Sequence, residues 1–256
     1  MSDPWLCESL RLTALWRAPS GAESTLSWEA LVGAAPETRE SQPRQGTTRD
    51  AGPIGDGSKT LELRTAAGRV DWLLLPTVNP TVLLDLSRSI PSLGEVEQAI
   101  QIFDALLFEK AANAYAAPRL AIAVTANHRA TDRNASYAEL EDILSTISPK
   151  LEGASDFQYQ INRPRASAVA ADVTINRLAR WGSVVMAGVS ILPPMLQQLP
   201  GVLSQFQSPQ VHATRIELDI STSVDRDSEL PLEIRVPLMR EMAASALEII
   251  RNGDRA

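Results

Sequence analysis

Two similar strings concentrate the side chains that could do chemistry: Ile161-Asn162-Arg163-Pro164-Arg165 and Ile175-Asn176-Arg177-Leu178-Ala179-Arg180-Trp181. Asn162 and Asn176 lie 14 residues apart, the separation of two facing strands joined by a moderate loop. Pairing would gather Asn162, Asn176, Arg163, Arg165, Arg177 and Arg180 at one end of a hairpin, with Trp181 beside them. A planar guanidinium binds carboxylate or phosphate through two N–H groups, and an indole stacks on a base or on an arginine. The expected chemistry is capture of an anion, a nucleotide or an acidic partner. The competing expectation is an internal ion-pair network, because 31 Asp+Glu outnumber 24 Lys+Arg.

A second candidate surface is uncharged. From Trp181 to Val211 run 31 residues without Asp, Glu, Lys or Arg, in a chain that is 21% charged. The apolar run 184–192 is too short to span a bilayer, and Pro193, Pro194 and Pro200 break any helix that would extend it. Residues 193–210 therefore read as an apolar, Pro-rich insertion. Its Met195, Leu196, Leu199, Leu203 and Phe206 are the expected contacts with a partner protein or a second copy of the chain. A flap over the protein's own core is the plainer alternative.

Other arrangements lack a part that their chemistry needs. Gly52–Thr60 has the glycines of a phosphate-binding loop, but Ser58 separates Gly57 from Lys59, and a strand pattern follows where a helix N-terminus is required. His128 and His212 are the only histidines, too few for a multi-His zinc site, and Asp132 is the carboxylate nearest His128 in sequence. Asp225-Arg226-Asp227-Ser228-Glu229 lacks the turn glycine and distant bidentate glutamate of a calcium loop. Cys7 is the only cysteine, which rules out an internal disulfide. No catalytic residue, metal or cofactor is assigned. The net charge of −7 argues against a general nucleic-acid coat, leaving only a local site at the arginine hairpin.

The elements that must position these residues follow from periodicity. Leu10, Leu12, Ala14 and Trp16 alternate with polar neighbours as a strand, and Leu26–Val32 forms a short helix stopped by Gly33. Residues 34–58, rich in Pro, Gly, Thr and Arg, read as a surface loop. Thr60–Ala66 and Arg69–Leu75 make a hairpin through Ala67-Gly68, with a further strand at Thr81–Leu86. Ser92…Glu95 and Ser136…Glu139 read as capping boxes that open helices. The first helix is a core helix ending before Pro118. Arg119–His128, the segment around Phe157–Ile161, that around Val173–Ile175, and Arg215–Ile220 alternate as strands, and Pro237–Arg251 closes as a helix.

The expectation is an α+β fold with an antiparallel or mixed sheet covered on one face by helices. Its order is β-α-ββ(β)-α, then β-α-ββ-insert-β-α, which suggests two similar halves. Residues 1–256 are expected as one domain, with a subdivision near residue 118 as the alternative. Arginine over lysine, high alanine, no signal-peptide pattern and no spanning segment point to a bacterial cytoplasmic protein. The expected function is non-enzymatic: a binding or accessory protein acting through a protein-partner surface, of the kind found in defence, immunity or antitoxin systems. The alternative is a domain or enzyme that binds a phosphate-containing ligand or a nucleic-acid end at the Asn/Arg hairpin.

Overall fold

Alternating apolar positions pair across strands and decide which way the sheet faces. Leu10, Leu12 and Ala14 of β1 (Leu6–Leu15) stand opposite Val124, Ile122 and Leu120 of β6 (Arg119–Ala130). On the other side of β1, Leu12 meets Trp72 and Leu10 meets Leu74 of β5 (Arg69–Pro76). All these side chains are buried. Each buried leucine, isoleucine and valine among them contributes roughly 1.5–3 kcal/mol through the apolar surface it withdraws from water.

The computed structural model describes residues 4–16, 26–77, 90–187, 210–223 and 228–256. In the first half, α1 (Trp28–Val32) follows β1, and then a meander runs through β2 (Thr38–Gln42), β3 (Thr47–Ile54), β4 (Lys59–Ala66) and β5. The half closes with α2 (Val96–Phe103), a π-helical turn Asp104–Phe108, and α3 (Glu109–Ala114). The second half opens with β6 and α4 (Arg133–Ile143). It continues through β7 (Gln158–Asn162), β8 (Arg165–Ala166), β9 (Thr174–Ala187) and β10 (Gln210–Thr222), and ends in α5 (Leu232–Asn252) with a 3-10 turn Gly253–Arg255.

All ten strands form one antiparallel sheet in the order β2-β3-β4-β5-β1-β6-β10-β9-β7, with β8 also on β9. The fold is therefore α+β. Each half places its opening strand beside its last one, β1 on β5 and β6 on β10, and the two opening strands pair at the centre. An approximate two-fold axis passes between β1 and β6. The helices pack on the face that carries Leu12, Trp72, Ile122, Trp181 and Ile216, where one large core holds them.

The detailed order departs from expectation in the first half. Residues 34–58 are not a loop; they contain β2, β3 and the start of the turn to β4. These strands were hidden because every residue of β2 is exposed, so no apolar alternation marks it. Its register rests on polar cross-strand contacts instead: Arg39 with Asp50, and Arg49 with Glu40. The sequence resembling a phosphate loop is the β3–β4 turn, Gly55–Ser58. The expected strand Thr81–Leu86 and most of the insertion 193–210 lie outside the described residues. The chain enters and leaves that insertion through paired positions of neighbouring strands, Ala187 and Gln210.

Neither expected capping box caps a helix. α2 begins after Glu95, whose side chain makes no cap bond, because residues 93–95 are held beside β1: Cys7 N–H donates to the Gly94 carbonyl and Leu93 N–H to that of Cys7, and Glu95 bridges to Leu6. α4 is capped by Asp132, which accepts the Ala135 N–H at 2.9 Å. Ser136 and Glu139 are thereby freed for tertiary contacts. The last helix starts earlier than expected, at Leu232, so Pro237 lies inside it. Prolines also flank both edges of the sheet, Pro36 and Pro43 around β2 and Pro164 between β7 and β8, and they discourage pairing with another chain.

Candidate functional site

The second face of the sheet carries no helix among the described residues; at one end of β9 and β10 Val184, Met186, Val211 and Ala213 pack there with Ile90, and the rest carries a series of ion-pair clusters. The series begins at the β2 edge, where Glu40 meets Arg49 Nη1 at 3.0 Å. Arg49 also donates from Nε at 2.5 Å to Glu62, which Arg64 contacts as well. Glu62 is only 1% exposed. Burial pushes its carboxyl up, but the hydrogen bonds and charges of Arg49 and Arg64 together outweigh that and hold it below the usual range.

Toward the centre, Asp71 accepts two bonds from Arg69 and one from Thr13, at 2.6, 3.0 and 2.5 Å. Arg11 bridges the two halves, 3.9 Å from Asp71 and 3.7 Å from Asp219. These two aspartates occupy equivalent places about the two-fold axis. Asp71 on β5 stands opposite Thr13 of β1, and Asp219 on β10 opposite Ala123 of β6. Beyond them, Arg215 contacts Glu8 and lies 3.7 Å from Glu217. Glu217 pairs with Arg180 at 3.1 Å, and Arg180 reaches Gln160 on the far edge.

Two hollows lie in this face, one in each half. The first, about 350 Å³, opens over β2 to β5 and is lined by Arg49, Arg64, Arg69, Glu40, Asp71 and neutral Gln42 and Thr47. The second, about 260 Å³, lies over β7, β9 and β10, with Arg180, Arg215, Glu217 and Asp156 on its walls.

The Asn/Arg hairpin forms as a cluster, in register Ile161–Ala179 and Arg165–Ile175. Asn162 donates to Asn176 at 3.3 Å and accepts the Arg177 backbone N–H at 2.9 Å. The guanidinium groups separate to opposite faces. Arg177, 6% exposed, and Arg165 turn under α5, where both reach Glu248, and Arg165 also reaches Ser245 at 2.6 Å. Burial pulls the Arg177 pKa down, which its pairing with Glu248 opposes. Arg163 donates to the Ala256 carbonyl, while Arg180 points to the open face. Trp181 is buried and stacked on Tyr159, with ring centres 5.7 Å apart. Within the described structure these arginines therefore meet acceptors of the protein itself. Met195, Leu196, Leu199, Leu203 and Phe206 lie outside the described residues.

A buried polar cluster escaped the sequence reading. Glu139, read as a cap, stands 2.7 Å from Nδ1 of His128 and accepts the Thr214 hydroxyl at 2.5 Å; Ser136 contacts Thr214 at 3.1 Å. Trp5 lies against the imidazole, with ring centres 5.6 Å apart. Asp132, the nearest acid in sequence, is occupied in capping. The signal was present in the polar Ser136 and Glu139 three residues apart, which put both on one side of α4 facing the strands. Cys7 is buried, and burial pushes its thiol up to about 12, so it holds no thiolate at neutral pH. Among the described residues no group of three His, Cys, Asp or Glu is placed to hold a metal, and no helix is long and apolar enough to cross a membrane. No family model, curated protein or solved structure matches the chain.

Proposed function

We propose that this is a non-enzymatic, cytoplasmic binding protein that docks a protein partner on the polar face of its sheet. The observation that carries this reading is the ion-pair lattice itself, which crosses both halves on the side that no described helix covers. A face that only had to meet water would gain little from such pairing, since exposed ion pairs contribute about 0–1 kcal/mol each. What a fixed array of paired guanidinium and carboxylate groups provides is specificity toward a polar surface of matching pattern. Arginines and acids alternate along it, so it lacks the excess of positive charge that a polynucleotide requires. A protein surface is the occupant that such a mixed array fits. The anion-site alternative has less support, because Arg165 and Arg177 are engaged by α5.

A photo-crosslinking residue at Thr125, in the middle of this face, tests the proposal against the same residue at Gln101, on the outer side of α2. In the native host, Thr125 should trap one protein in stoichiometric yield while Gln101 traps none. The same products from both positions, or none from Thr125, would refute it.

A further inference from the structure

We infer that the first-half hollow receives an acidic side chain of the docked partner, gripped between Arg64 and Arg69. This rests on the docking reading above and names the chemistry of one contact within it. Three guanidinium groups line the hollow, those of Arg49, Arg64 and Arg69, against two carboxylates, Glu40 and Asp71. Glu62 lies beneath, buried and already shared by Arg49 and Arg64.

The decisive feature is which N–H groups remain. Arg49 is spent: Nε and Nη2 bond Glu62, and Nη1 bonds Glu40. Arg64 uses only Nε, so both of its Nη groups lack an acceptor among the described residues. Arg69 binds Asp71 through Nε and Nη2, which leaves Nη1. Arg64 stands directly opposite Asp71 across the β4–β5 ladder, and Arg69 lies two residues before Asp71 on the same face. The spare donors of both arginines therefore border one hollow, with Asp71 between their backbones.

A carboxylate is the complementary acceptor, because its two oxygens match the spacing of guanidinium N–H groups. The hollow, about 350 Å³, has room for an aspartate or glutamate side chain with its flanking backbone. Neutral Gln42 and Thr47 on the rim supply further hydrogen bonds without adding charge. The second-half hollow lacks this excess of cations. Its walls set Arg180 and Arg215 against Glu217 and Asp156; Arg180 spends Nε and Nη2 on Gln160 and Nη1 on Glu217, while Arg215 donates only from Nη2, to Glu8.

The test is an NMR titration of the full chain, reading the arginine Nε–Hε signals, with acetylated tetraglutamate amide as one probe and inorganic phosphate as the other. At low salt the peptide should shift Arg64 and Arg69 along a saturating curve and leave Arg180, whose donors are spent, in place. Phosphate at equal ionic strength should bind at least about tenfold more weakly, and so should the peptide to an Arg64→Lys, Arg69→Lys variant, which keeps a cation near Glu62 but removes the fork. Three outcomes would overturn the inference: no saturable shift with the peptide, equal affinity for phosphate, or an equal shift at Arg180. The titration needs no partner, so its failure stays separate from failure of the Thr125 crosslink.

Discussion

The two halves of the molecule use one frame for different ends. Both run strand, short helix, four strands, long helix, and both return their last strand to their first. In the first half Arg49, Arg64 and Arg69 stay on the open face, the last two with unspent N–H groups, while Arg39 faces α1 and pairs with its Glu29. In the second half, Arg165 and Arg177 have turned to the other face and bind α5, which buries Arg177 and leaves Arg165 partly exposed. The difference lies in the closing helix. α5 places Glu241, Ser245 and Glu248 along the side that meets β8 and β9, so arginines there become ties between sheet and helix. α2 and the π-helical turn present Phe103, Leu107 and Phe108 to the core and offer no such acceptors there. The closing helix thus ties Arg165 and Arg177 in the second half, while its counterpart leaves Arg64 and Arg69 untied in the first.

The largest test of this comparison asks whether the halves stand or fall together. Trp72 and Trp181 are fully buried, one in each half, and each stacks on a second aromatic ring, Trp28 or Tyr159. Trp72→Ala and Trp181→Ala should each lower stability by about 3–5 kcal/mol. Because β1 and β6 join the halves into one sheet, each variant should unfold in a single transition. Guanidinium denaturation followed by both circular dichroism and tryptophan fluorescence would show this. Separated transitions would make the halves independent domains.

A smaller effect distinguishes the two kinds of arginine. Arg177→Ala removes a nearly inaccessible guanidinium and its bond to Glu248, and should cost about 1–3 kcal/mol. Arg64→Ala removes a group that is half in solvent, 51% exposed at the side chain, and should cost about 0–1 kcal/mol. Chemical melts of the two variants decide it. The reverse ranking would mean that the open-face lattice, and not the contact with α5, is what stabilises the sheet.

Much of this architecture was legible in the sequence wherever burial imposed a period. β1, β5, β6 and the Asn/Arg hairpin are strands with one dry face, so their alternation of apolar and polar residues survives in the sequence. β2 could not be seen, because it is wet on both faces; β3 is partly buried, but its buried residues are Ala51 and Gly52, too small to mark an apolar alternation. The open-face lattice was legible only in fragments. Arg215, Glu217 and Asp219 were recognisable as neighbours on one side of a strand, but the pairing of Arg49 with Glu62 or of Arg11 with Asp219 depends on strand order. Ser136 and Glu139 show the opposite failure. A local motif that fits a cap well was overridden by Asp132 upstream and drawn instead into contacts with β6 and β10.

The finest distinction between the halves is in how each neutralises a buried carboxylate, and acid should expose it. Glu62 in the first half and Glu241 in the second are both held below the ordinary value of 4.5, against a burial effect that alone would raise them. A carboxyl depressed in the folded state stabilises fully above its unfolded value, and that stability is lost as pH falls through the folded value. Melting temperature should therefore fall below about pH 4.5, and Glu62→Gln and Glu241→Gln should each flatten part of that fall. The partners differ, however. Glu62 is held by the charges of two half-exposed arginines. Glu241 is held chiefly by neutral donors, the Ser167 hydroxyl and the Ala168 and Val169 N–H groups, with Arg165 at 3.9 Å. At about 0.5 M salt the difference between wild type and Glu62→Gln should shrink modestly, since only its half-exposed arginines are screened, and by more than that for Glu241→Gln. Equal salt sensitivity at both sites would mean that the halves hold their buried acids by the same means after all.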